Sequence, residues 1–169
     1  MEKHIGLITF GGNPLTLDGE MVKVGDKAKD FTALANDLAP HSLSEYDGKI
    51  RIISVVPSID TGVCAAQTRR FNVEASKLEN VIIITISCDL PFALGRFCAA
   101  EGIDKVITLS DHKETEFGLK YGFLIEELRL LSRGIVIVDK SGMVRYVEYV
   151  KEITTHPDYE AALEFVASL

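Results

Sequence analysis

Lys49-Ile50-Arg51-Ile52-Ile53-Ser54-Val55-Val56 runs into Pro57-Ser58-Ile59-Asp60-Thr61-Gly62-Val63-Cys64, and this junction decides the fold. The adjacent β-branched pairs Ile52-Ile53 and Val55-Val56 leave neither face of 49–56 polar, which predicts a strand buried on both sides. From Gly62 the period changes. Cys64, Phe71, Ala75 and Leu78 fall on one face at 3.6 residues per turn, with Arg69 and Arg70 opposite, so 62–79 reads as a helix. A buried strand feeding directly into a helix is half of a parallel crossover unit.

The same alternation continues downstream. Residues 81–87 form another apolar strand, and Leu90-Pro91 opens a helix to about Glu101, since proline suits a first helical turn. A strand follows at 106–109, a short helix at 114–121 and a strand at 135–138. Lys140-Ser141-Gly142 turns the chain back into 144–150, and a last helix begins near Pro157. Upstream, β-formers at 5–10, the turn Gly11-Gly12-Asn13-Pro14 and a return strand at 15–17 read as a hairpin, with a further short strand at 31–34. Strands separated by helices call for parallel pairing, while the 140–142 turn calls for an antiparallel one. The expected architecture is α/β: a mixed central sheet flanked by helices on both faces, thioredoxin-like, with an N-terminal β-hairpin extension over 1–19. No linker or repeat interrupts the chain, so a single domain over 1–169 is expected.

Composition agrees. The chain has 169 residues, 47% hydrophobic and 25% charged, as a globular protein of one domain requires. A net charge of −7 argues against a nucleic-acid partner, whose phosphates are held by clustered Lys and Arg. The longest apolar stretch, 81–86, falls far below the roughly 18 residues of a membrane helix. No basic-then-apolar segment with a cleavage site opens the chain, so a cytoplasmic protein is expected.

Phosphate loops, dinucleotide fingerprints, serine elbows and His-Glu-x-x-His are absent. His4, His41, His112 and His156 are scattered, and no two cysteines stand at the spacing of a zinc site, so neither metal nor cofactor is expected. Cys64, Cys88 and Cys98 are too few for a disulfide scaffold. Cys64 is the distinctive one. In the first turn of a helix, free N–H groups and the positive dipole end favour thiolate, the reactive form. Thr61, three residues upstream, can donate to the sulfur or to a bound oxygen. Cys64 also shares a face with Phe71 and Leu78, so a small core residue is the competing reading, and position alone leaves both open.

The run Pro57-x-x-x-Thr61-x-x-Cys64 resembles the active-site signature of the peroxiredoxins. The flanking Ala65-Ala66 and Arg70-Phe71-Asn72, then Asp89-Leu90-Pro91-Phe92-Ala93 with Arg96-Phe97-Cys98, are similar to the thiol peroxidase branch of that family. Glu152-Ile153-Thr154 and Pro157-Asp158-Tyr159-Glu160-Ala161-Ala162-Leu163 extend the resemblance almost to the end of the chain. It implies a peroxidatic Cys64, whose thiolate reduces hydrogen peroxide or an organic hydroperoxide and becomes a sulfenic acid. Thr61 would hydrogen-bond the sulfur or the peroxide, and Pro57 would shield the pocket. Arg133, in Leu131-Ser132-Arg133-Gly134, would favour thiolate and orient the peroxide. Without the resemblance Arg133 reads as a surface charge, with Arg129 and Arg69 as equal candidates. Cys98 would be the resolving cysteine, closing an intramolecular Cys64–Cys98 disulfide after local unfolding, although core packing also explains it. Thioredoxin is the implied reductant and a homodimer the implied assembly. Cys88 has no matching role and reads as a small core residue. The competing functions are a non-catalytic thioredoxin-fold binding protein and a general disulfide reductase, the latter disfavoured by the missing Cys-x-x-Cys.

Overall fold

The computed structural model describes all 169 residues. The chain runs β1 (Lys3–Phe10), β2 (Asn13–Asp18), β3 (Thr32–Leu34), β4 (Pro40–Ser42), a 3-10 turn (Leu43–Tyr46) and β5 (Ile50–Val55). It continues through α1 (Gly62–Ala75), β6 (Val81–Ser87), α2 (Pro91–Glu101), β7 (Ile107–Ser110) and α3 (Glu116–Tyr121). The last elements are β8 (Leu124–Ile125), β9 (Leu130–Leu131), β10 (Gly134–Val138), β11 (Val144–Tyr149) and α4 (Tyr159–Ala167).

The main sheet has the order β11-β10-β5-β6-β7-β3-β4. Its centre, β5-β6-β7, is parallel because α1 and α2 are the crossovers; β10, β11, β3 and β4 join antiparallel. Register sorts the side chains. Ile52, Ile83 and Ile137 lie opposite one another on one face, while Ile53, Ile84 and Val136 share the other. The first face is covered by Phe71 of α1, Ala162 and Val166 of α4, and the half-buried Phe97 and Cys98 of α2. The second is covered by Phe117 and Tyr121 of α3 together with Phe31 and Phe123. The mixed sheet with helices on both faces is thus present.

Besides the unexpected short strand β4 and the 3-10 turn after it, two features differ from the sequence reading. Helix α1 ends at Ala75, before 79, because the chain turns over Ser76–Asn80, with Asn80 at φ 57°, to enter β6. The hairpin also does not stand alone. β2 pairs with β8, and β8 with β9, making a second sheet β1-β2-β8-β9 whose apolar side buries Ile8, Leu15, Leu17, Ile125 and Ile153. Strands of two residues are too short for any periodicity to register.

Candidate active site

The carboxyl end of β5 carries the site. Val56 still pairs, its N–H donating to Ile86 O at 3.1 Å, and the chain then loops through Pro57 to Thr61 before α1. Asp89 fixes that loop, accepting from Ser58 Oγ at 2.8 Å, Ile59 N at 2.9 Å and Ser87 Oγ at 2.7 Å. Cys64 is the third residue of α1, where N–H groups lack helical acceptors and the dipole favours negative charge. It has no solvent exposure and packs against Val56, Ile59 and Leu94. It is a free thiol.

Arg133 reaches that sulfur. Its Nη2 donates to Cys64 Sγ at 3.2 Å, Nη1 to Gln67 Oε1 at 3.0 Å and Nε to the Ile153 carbonyl at 2.9 Å. Only 2% of Arg133 is exposed, so it is a buried cation and not a surface charge. Gln67 is held in turn, its Nε2 donating to Ser54 Oγ at 2.8 Å. A guanidinium anchored on three sides presents a fixed positive charge to sulfur in a dry setting, where charge–charge attraction is little screened. Local backbone makes room for this. A Cβ on Gly134 would lie 2.2 Å from Glu148 O and 2.5 Å from the Phe123 ring, so only glycine lets β10 start so close to its neighbours.

A cavity of about 290 Å³ opens beside the pair, lined by Phe10, Pro57, Thr61, Gly62, Val63, Arg133, Ile153 and Thr154. Pro57 is buried in its wall, while Thr61 is exposed and its hydroxyl donates to the Ser58 carbonyl at 3.2 Å, not to sulfur. A larger cavity of about 380 Å³ at the other end of β5 is lined by Lys27, Asp47, Arg51 and Lys140 among others and has no cysteine in its wall. No group of three or more His, Cys, Asp or Glu side chains converges as metal ligands.

Cys98 lies elsewhere. Its sulfur is 3.6 Å from Thr108 Oγ1, in a groove whose lining shares no residue with the Cys64 cavity. Both thiols are free. Cys88 is half-buried against the second core face, and burial pushes its thiol up to about 12, so it stays protonated near neutral pH. Arg69 is on the surface, paired with Glu101 at 2.9 Å, and Arg129 is exposed. Neither donates to Cys64.

Gln67, Ser54 and the Ile153 carbonyl escaped the sequence reading. Their only trace was polarity out of place: Ser54 interrupts an apolar strand, and Gln67 sits one turn after Cys64 on the same buried face. Gln67→Leu leaves a guanidinium N–H and Ser54 Oγ buried without partners, which costs about 2 kcal/mol of stability. Urea unfolding checks that loss, and stopped-flow oxidation of the thiol should slow by roughly tenfold as the guanidinium loosens. Wild-type values in both would show that Gln67 is a bystander.

A buried thiol in contact with a guanidinium, at a strand–helix junction of a thioredoxin-like sheet, is the arrangement of a thiol-based redox enzyme. The redoxin family model matches residues 23–163. A thiol peroxidase of Oceanobacillus iheyensis is 64% identical over 156 residues, covering 92% of this chain and 95% of its own. One from Bacillus subtilis is 58% identical over 162 residues, covering 96% and 97% respectively. Among solved structures, a peroxiredoxin-like protein from Aquifex aeolicus superposes with a TM-score of 0.91 at 36% identity, over 98% of both chains. The chain belongs to the redoxin family, as one of its peroxiredoxin-type thiol peroxidases. It acts as a peroxidase through a thiol. No helix is long and apolar enough to cross a membrane.

Proposed function

We propose that Cys64 is the peroxidatic nucleophile, with Arg133, Thr61 and Pro57 forming its pocket and Cys98 resolving the product. The observation that carries this reading is the 3.2 Å contact from Arg133 Nη2 to the buried Cys64 sulfur, beside a cavity large enough for a hydroperoxide. The thiolate attacks the terminal peroxide oxygen, the O–O bond breaks, and the departing alkoxide or hydroxide takes a proton to leave as alcohol or water. Sulfur keeps the transferred oxygen as sulfenic acid. The guanidinium stabilises negative charge as it passes from sulfur to oxygen, and the apolar wall of Phe10, Pro57 and Ile153 suits organic hydroperoxides as well as hydrogen peroxide. In this reading Thr61 turns its hydroxyl from Ser58 to the bound peroxide.

Cys98 then attacks the sulfenic sulfur, a disulfide forms and water leaves. Cys98 lines a groove while Cys64 is fully buried beside a different cavity, so the α1 and α2 segments that carry them must open locally before the sulfurs meet. A dithiol reductant, thioredoxin, exchanges with that disulfide and restores both thiols. A homodimeric assembly and a cytoplasmic setting belong to the same reading, as does one domain over 1–169 with 1–19 as its extension. A general disulfide reductase is disfavoured, because its two sulfurs would sit in one accessible motif.

Cys98→Ser should react with one equivalent of peroxide at the wild-type rate, then stall with sulfenic acid at Cys64 and pass on to sulfinic acid in excess peroxide. Mass spectrometry after one-equivalent oxidation reads the added oxygen. In the unsubstituted protein, non-reducing peptide mapping should find a Cys64–Cys98 link within one chain. A dominant Cys64–Cys88 link or an interchain bond would assign the resolving step to another residue.

A further inference from the structure

The hairpin brings no thiol to the site, yet one carboxylate fastens its tip there. Glu152 accepts from Thr9 Oγ1 at 2.8 Å, Gly12 N at 2.8 Å, Thr154 N at 3.0 Å and Thr154 Oγ1 at 2.6 Å. Backbone bonds flank it: Thr9 N donates to Lys151 O at 2.7 Å and Ile153 N to Thr9 O at 3.0 Å. The carbonyl of that same Ile153 is the acceptor for Arg133 Nε at 2.9 Å. Contacts therefore run without a break from the hairpin tip through 151–154 to the guanidinium and the sulfur.

The anchors of Arg133 are not equivalent. Gln67 and Cys64 both ride on α1, so Ile153 O is the one that holds the guanidinium to a separate part of the fold. Donors crowd the Glu152 carboxyl, first the Thr154 hydroxyl and the Gly12 N–H, and hold it well below the usual carboxylate range. An ionised carboxylate is a pure acceptor, matched to a ring of donors.

We propose that Glu152 is a positioning residue for the peroxidase reaction: by clasping the hairpin tip to 151–154 it fixes the Ile153 carbonyl, and through it aims Arg133 at Cys64. The inference rests on the assignment of Cys64 and Arg133 above. It gives the hairpin a purpose in catalysis. The extension braces the charge that activates the thiol.

The test measures single-turnover oxidation of the reduced protein by hydrogen peroxide at neutral pH. Glu152→Ala should slow the reaction about tenfold, or about 1.4 kcal/mol in activation free energy. Thr9→Val, which removes one hydroxyl at nearly constant shape, should slow it severalfold, and Thr9→Ser should restore the rate. The decisive arm is the double variant. In an Arg133→Met background, Glu152→Ala should change the rate by less than twofold, because no guanidinium remains to be aimed. Equal losses in both backgrounds, or a Glu152→Ala rate within twofold of wild type, would overturn the proposal. If Glu152→Ala fails to fold by circular dichroism, the Thr9→Val and Arg133→Met pair decides by the same criterion. A Cys64→Ser arm separates the two levels. Persistent peroxide consumption there refutes the active-site assignment, whereas its loss beside a wild-type rate in Glu152→Ala refutes the clasp alone.

Discussion

Cys64→Ser protein should consume no hydroperoxide in a thioredoxin-coupled assay, a loss on the order of 10⁴-fold or more that reaches background. The reason is chemical rather than structural. A serine hydroxyl stays protonated near neutral pH and its oxygen is a poor nucleophile toward the O–O bond, whereas sulfur expands its oxidation state readily. The fold should survive, because the substitution nearly preserves volume and Arg133 Nη2 can donate to the new oxygen as it does to Cys64 Sγ. Circular dichroism and thermal unfolding close to wild type would exclude a trivial collapse. Cys88→Ser is the matched control: its thiol, pushed up to about 12 by burial, takes no part, and near-normal turnover is expected. Substantial activity without Cys64 would end the assignment.

Arg133→Met should cost both rate and stability, and the two losses have separate origins. Methionine fills much of the same space but offers no donor. The Ile153 carbonyl and Gln67 Oε1 are then left buried without partners, at roughly 1–3 kcal/mol each. Denaturant unfolding reads that loss. The rate should fall by roughly 10²–10³-fold, the usual consequence of removing a fixed group that stabilises moving negative charge. Alkylation of Cys64 by iodoacetamide at neutral pH should slow as well, because the sulfur loses the guanidinium that donates to it at 3.2 Å. Arg133→Lys separates charge from geometry. An ammonium keeps the charge but not the planar fork that meets Ile153, Gln67 and Cys64 at once, so its rate should fall between the two. Unchanged alkylation and peroxide rates in Arg133→Met would make the residue purely structural.

The run from Lys49 to Cys64 carried most of the fold in its own residues. Adjacent β-branched pairs announce a strand buried on both faces, and a change of period at Gly62 announces the helix that covers it. These signals are local, so they survive without the rest of the molecule. The place of Cys64 in the first turn of that helix was equally legible, since a helix start is a feature of backbone direction that a few residues determine, although position left a reactive thiol and a core residue both open. What one stretch of chain cannot carry is contact between distant stretches. Without the family resemblance Arg133 read as a surface charge, and only the docking of β10 beside β5 brings it to Cys64. Gln67 and Ile153 matter because they meet on that guanidinium from a helix and a loop far apart in sequence, and Ser54 because it holds Gln67. Periodicity records which face a residue buries; it does not record what that face meets. Residue type and spacing by themselves determined the helix and placed Cys64 in its first turn. Tertiary packing alone decided which charge faces the sulfur, what aims it, and that Cys98 waits in a separate groove.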